Sequence, residues 1–193
     1  MKDIKFSQEK FTQEEAFEFS MGYMRLLAAQ RMRHTGEIPL HFMAIQPSMQ
    51  NENQINVAVL PPPDGIDVWE QLPREETREE IIELVADTLP SYVLTISEAW
   101  IVRPKTQQEL ATVHAFKAAH PTASLKEFPG ACEILSLFLE GDNTARSYIC
   151  EIKNGVVNWP PTIHDVDQDG QLGVLQGMWK EGYRRCFENA VED

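Results

Sequence analysis

The sequence predicts an α+β fold. A single, mainly antiparallel sheet of about five to six strands packs with three to four helices, in the order α-β-β-α-β-α-β-β-β-α. Three observations carry this. Tyr92–Arg103, YVLTISEAWIVR, alternates as a strand does and is bracketed by Pro90 and Pro104. Two T-x-x-E signatures, Thr12 with Glu15 and Thr106 with Glu109, open helix-periodic stretches. Asn154-Gly155 stands between two apolar runs, the strongest short-range hairpin signal.

Residues 1–10 are polar apart from Phe6 and read as a loose lead-in. A helix then runs to about Arg33, with Phe17, Met21, Met24, Leu27 and Ala28 on one stripe and Phe19, Tyr23 and Leu26 widening it. Methionines at this spacing fill a core far more often than they bind a ligand. Ile38–Gln46 and Ile55–Leu60 read as two strands of a hairpin, with His41 inside the first. Pro61–Gly65, PPPDG, has turn chemistry.

A second helix spans about Pro73 to Leu89, with Pro73 suited to a first helical position. Its glutamates crowd the early turns, where the helix dipole favours them. Ile81, Ile82, Leu84, Val85 and Leu89 form its apolar side. The strand from Tyr92 follows. Both of its faces are largely apolar, which places it centrally in the sheet with cover on each side.

A third helix runs to about Ala119, with Leu110, Val113 and Phe116 as its apolar residues. Ala131–Glu140, Ala145–Lys153 and Val156–Trp159 form a three-strand meander, its first turn at Glu140-Gly141-Asp142-Asn143. A last helix covers about Gln171 to Asn189, with Leu172, Leu175, Met178, Trp179, Cys186 and Phe187 as its stripe. Gly173 and Gly177 weaken it, so tertiary packing must hold it.

The bulk numbers bound the function. The chain's 193 residues fit one domain, and 42% hydrophobic with 24% charged is ordinary globular composition. No run of about eighteen apolar residues occurs, so the expectation is a cytoplasmic protein away from membranes. The formal charge of −13 argues against nonspecific nucleic-acid binding and admits an acidic mimic of nucleic acid. Cys132, Cys150 and Cys186 are widely spaced and read as reduced thiols, with a Cys132–Cys150 bridge the one conceivable pairing.

Three site candidates emerge. Glu98 lies on the bulkier face of its strand, between Ile96 and Trp100. A carboxylate there is costly unless paired, and burial raises its pKa. It would serve as a general base or metal ligand, with His41 or His114, or else it marks a strand end emerging into water or is the structural partner of an arginine. Ser97 faces the opposite way, so adjacency alone does not pair it with Glu98. His114 and His120 are six apart and do not form the i, i+4 pair of a helical zinc site. His164–Gly173, HDVDQDGQLG, matches the D-x-D-x-D-G opening of a calcium loop through Asp165, Asp167 and Asp169. Against it, the twelfth position is Gln176, and Trp159-Pro160-Pro161 supplies no preceding helix.

Ser97-Glu98-Ala99-Trp100 and the later segment Ser124–Ile134 carry a resemblance. The chain resembles an uncharacterised bacterial and phage family with a V-S-E-A-W strand and an S-x-x-E-H-P-D-R-x-E segment. Phe128, Gly130 and Ala131 stand where that pattern has His, Asp and Arg. The resemblance covers mainly residues 92–140 and implies no reaction. With no Walker loop, G-x-G-x-x-G, G-x-S-x-G or H-E-x-x-H in the chain, the leading expectation is a noncatalytic binding or assembly protein, as a homodimer. A hydrolase using Glu98 with a histidine, and a calcium-binding or acidic mimic protein, are the alternatives.

Overall fold

The computed structural model describes residues 12–33, 37–47, 55–120, 125–142, 144–165 and 177–192. Among the described residues, four α-helices, α1 (Gln13–Arg33), α2 (Arg74–Thr88), α3 (Gln107–Ala119) and α4 (Met178–Glu192), accompany seven strands. These are β1 (His41–Pro47), β2 (Ile55–Leu60), β3 (Tyr92–Ile101), β4 (Cys132–Gly141), β5 (Thr144–Lys153), β6 (Val156–Val157) and β7 (Thr162–Asp165). They form one antiparallel sheet in the order β2-β1-β3-β4-β5-β6, with β7 also pairing β5. The α+β class and element order are those the sequence predicts.

β3 is an interior strand, flanked by β1 and β4. It pairs β1 through Tyr92–Ile96 and β4 along its whole length. Its alternation sorts two cores. Tyr92, Leu94 and Ile96 join Met43, Ile45, Leu135, Leu137, Leu139 and Tyr148 beneath Met24, Leu27 and Ala28 of α1. Val93 faces the other way, with Phe42, Ala44 and Leu60, under Ile81, Ile82 and Val85 of α2 and Met178 of α4. Full cover reaches only as far as Ile96; from Ser97 to Ile101 the strand is half-buried. The strand also stops at Ile101, two residues before the predicted end.

Local chemistry explains the element ends. Thr12 and Glu15 form the capping box at α1: the Thr12 amide donates to Glu15 at 2.7 Å and the Glu15 amide to Thr12 Oγ1 at 3.2 Å. The Thr106 hydroxyl caps α3 by accepting from the Glu109 amide at 3.1 Å. Asn154 and Gly155 both have positive φ, as a two-residue β5–β6 turn requires.

Other ends depart from the sequence reading. β1 begins at His41, because Pro39 precedes it and lacks an amide to donate. Pro73 is the N-cap of α2 rather than its first helical residue. Leu89 is not on the apolar side of α2. It is the exposed C-cap at φ 45°, since Pro90 bars a further helical turn. Glu140, the expected last residue of its strand and first of the turn, lies within β4, which runs on to Gly141, and is buried on the α2/α4 side. β6 ends at Val157, and the chain returns along β5 as β7, so His164 and Asp165 are strand residues. The predicted start of the last helix, residues 171–176, lies outside the described residues; α4 is described from Met178.

Candidate functional site

The register decides which predicted site residues meet. His41 pairs Ile96, so it shares the α1 face with Glu98, two residues along β3. Glu133 pairs Trp100 from β4 and lies on that same face. The end of α1 stands over them. Arg31 donates from Nε to Glu98 at 2.7 Å and approaches Glu133 at 3.6 Å. A cluster of Tyr23, Arg31, His41, Glu98 and Glu133 therefore joins α1 to three strands.

Glu98 is the most enclosed of its acids, with its side chain 6% exposed. One carboxylate oxygen engages Arg31; Oε2 is buried and has no hydrogen-bond partner among the described residues. Burial pushes its carboxyl pKa up, against the downward pull of the Ile38 amide and the Arg31 guanidinium, and Glu133 adds to the rise. The arginine comes from α1, 67 residues upstream, and not from the segment that carries the family resemblance.

His41 is oriented from both ends. Its Nδ1 lies 2.8 Å from the Pro39 carbonyl, which can only accept, so Nδ1 carries the proton. Nε2 then accepts from the Tyr23 hydroxyl at 3.5 Å. His114 is exposed on α3, a helix with no buried residue, and no described contact ties it to Glu98. The structure thus brings His41 to the face of Glu98 and leaves His114 on the surface. Chemically, a guanidinium shared by two carboxylates fastens a helix to a sheet. It does not leave Glu98 an unencumbered base.

Asp165 ends β7 opposite Arg146 and forms an ion pair with it. Asp167 and Asp169 lie outside the described residues. Among the described residues, no group of three or more His, Cys, Asp or Glu side chains is arranged to hold a metal ion. Cys132, Cys150 and Cys186 are free thiols. Burial pushes the Cys150 thiol up to about 11, which makes it unreactive near neutral pH.

A second buried acid was not visible as a site in the sequence. Glu140, 4% exposed, accepts from the Gly177 amide at 2.6 Å and the Trp179 amide at 3.0 Å, at the first turn of α4. It is a strand carboxylate capping a helix that follows 37 residues later. Burial pushes its pKa up while those amides and that of Met178 pull it down. The signal was its parity, since it follows Ile134, Ser136 and Phe138 on one face of β4.

The sheet's two margins differ. At one, β6 has two residues, Pro160 and Pro161 follow it, and β7 ends on a charge, all features that discourage a further strand. At the other, β2 is INVAVL, with no charge and no proline, and Asn56, Val57, Ala58 and Val59 are exposed. Val57 and Val59 pair Ile45 and Met43 and so lie on the α1 face. Val59 is 61% exposed, and so, at 60%, is Leu26, three residues beyond the Tyr23 that touches β1.

No helix among the described residues is long and apolar enough to cross a membrane. No protein-family model, no curated protein and no solved structure matches the chain.

Proposed function

We propose that the chain is a noncatalytic binding or assembly protein that takes up an extended strand along β2. The bacterial or phage setting follows from the S-E-A-W resemblance. The observation that carries the proposal is the unprotected β2 margin: an uncharged outer strand with two exposed valines, whose outward N–H and C=O groups have no neighbour among the described strands. Proteins blunt such margins with charge, proline or a bulge unless something pairs with them. The acid that would serve catalysis is meanwhile engaged by Arg31.

The test is a nuclear magnetic resonance titration of the full chain with a lysine-flanked peptide carrying residues 55–60. Amide shifts confined to β2 and its neighbour β1 support the proposal. Shifts elsewhere only, or none, refute it.

A hydrolase is the second reading, favoured by the unpartnered Oε2 of Glu98 on the face it shares with His41. Glu98→Gln and His41→Ala should then each abolish turnover of an activated ester while far-ultraviolet circular dichroism shows the chain still folded. A calcium or acidic mimic role through Asp165, Asp167 and Asp169 would show as heat on titration with calcium and a melt lowered by chelator.

A further inference from the structure

We infer that the strand taken up by β2 is the β2 of a second copy of this chain, antiparallel about a twofold axis near Ala58. This rests on the proposed use of that margin and names its partner.

Three features point to a copy of the chain itself. The first is register. In an antiparallel pair, residues directly opposite share a face, so the sum of paired numbers must be even for the α1 faces to coincide. Centring the axis on Ala58 sets Val57 against the partner's Val59 and Val59 against the partner's Val57. Four half-exposed valines then close over one another, which is the isologous pattern of a twofold interface. Asn56 faces the partner's Leu60 on the other side, where Leu60 already belongs to the core.

The second feature is charge. The chain carries −13, so a foreign partner selected by electrostatics would be basic and would seek acidic groups. From Ile55 to Pro63 there is no charged residue. An uncharged margin on an acidic protein suits a partner margin that is also uncharged, and a second copy supplies one. The mutual repulsion of the two bodies is long-ranged and screened by salt.

The third is reach. A strand of six residues is about 20 Å long. Strand pairing alone would fall short of the roughly 800 Å² per partner typical of a stable interface. Leu26, on the side of α1 that leans toward β1, adds exposed apolar surface on the same face as the valines.

The experiment is light scattering on the full chain across micromolar concentrations at low and high salt, with hydrogen exchange on the same samples. Wild type is expected at twice its 22.0 kDa mass, with amides of residues 55–60 protected and the dimer tighter in high salt. Val57→Lys with Val59→Lys changes only exposed side chains and is expected to weaken the dimer by at least about tenfold, with an unchanged far-ultraviolet circular dichroism spectrum. Val156→Lys, at an exposed valine on the opposite margin, is the control and should leave the dimer as it is.

A wild-type monomer with freely exchanging β2 amides would overturn the self-pairing. So would a dimer indifferent to the two lysines, or one equally broken by Val156→Lys. If the chain is monomeric yet the lysine-flanked peptide still shifts β2, only the identity of the partner falls. If the peptide leaves β2 unmoved as well, the use of this margin falls with it.

Discussion

Replacing Glu140 should separate its role as an acceptor from its role as a charge. Glu140→Ala removes the acceptor of two amides, Gly177 at 2.6 Å and Trp179 at 3.0 Å. A buried donor left without a partner costs about 1–3 kcal/mol. Both residues are half-buried, so water recovers part of this, and about 2–4 kcal/mol is expected for the pair. For a chain of this size, that corresponds to a fall in Tm of about 5–15 °C. Glu140→Gln keeps one carbonyl oxygen and should cost clearly less.

The pH dependence carries the sharper test. The folded-state pKa of Glu140 is raised, so the native state binds this proton more tightly than the unfolded chain does. Its contribution is therefore fully present below the unfolded value, near 4.5, and declines as pH rises through the raised folded value. The wild-type advantage over Glu140→Gln should shrink, or reverse, between acid and neutral pH. Urea melts followed by far-ultraviolet circular dichroism at several pH values would measure this difference, in which other titrating groups cancel. A wild type that gains on the glutamine variant as pH rises would show a depressed pKa and refute the argument. An alanine variant within about 0.5 kcal/mol of wild type, the usual range for surface changes, would show that the cap does not hold α4.

Three further outcomes follow from contacts described above. Arg31→Met leaves Glu98 buried beside Glu133 without its cation, and should cost about 3 kcal/mol in a urea melt; adding Glu98→Gln should recover most of it. Gly182→Ala places a methyl 2.6 Å from Val85 Cγ1 and 2.9 Å from the Ile82 carbonyl. The α2–α4 contact must then open, lowering stability by about 1–3 kcal/mol by the same assay. Leu89→Gly relieves a left-handed leucine at φ 45°, but it also removes a side chain only 39% exposed and adds chain entropy, so the opposing effects should leave stability within about 1 kcal/mol of wild type by the same assay.

What could be read from the sequence was local. The capping residues Thr12 and Thr106, the Asn154-Gly155 turn and the alternation of β3 each act within a few residues, and each appears where its chemistry demands. What could not be read depends on distant partners. That Glu98 could be the partner of an arginine is legible from its place on the strand, but which arginine is not, because Arg31 is 67 residues away. Glu140 is legible as a strand end beside a turn, but its burial is not, because the helix it caps begins far downstream. β7 was hidden by Pro160 and Pro161, which rule out a helix there but still permit an outer strand. Periodicity predicts Leu89 on the apolar side of the helix, and Pro90 overrules it. The β2 margin was legible as a strand, but its exposure was not, because that depends on which strand ends the sheet.

The position of β3 also bears on how the chain reaches this structure. On one side stands the β1–β2 ribbon, on the other β4–β5–β6, each built from strands adjacent in sequence. β3 is the seam between them. A proline at Val93, whose side chain is wholly enclosed, would leave both ribbons able to form but with no common strand to stitch them together.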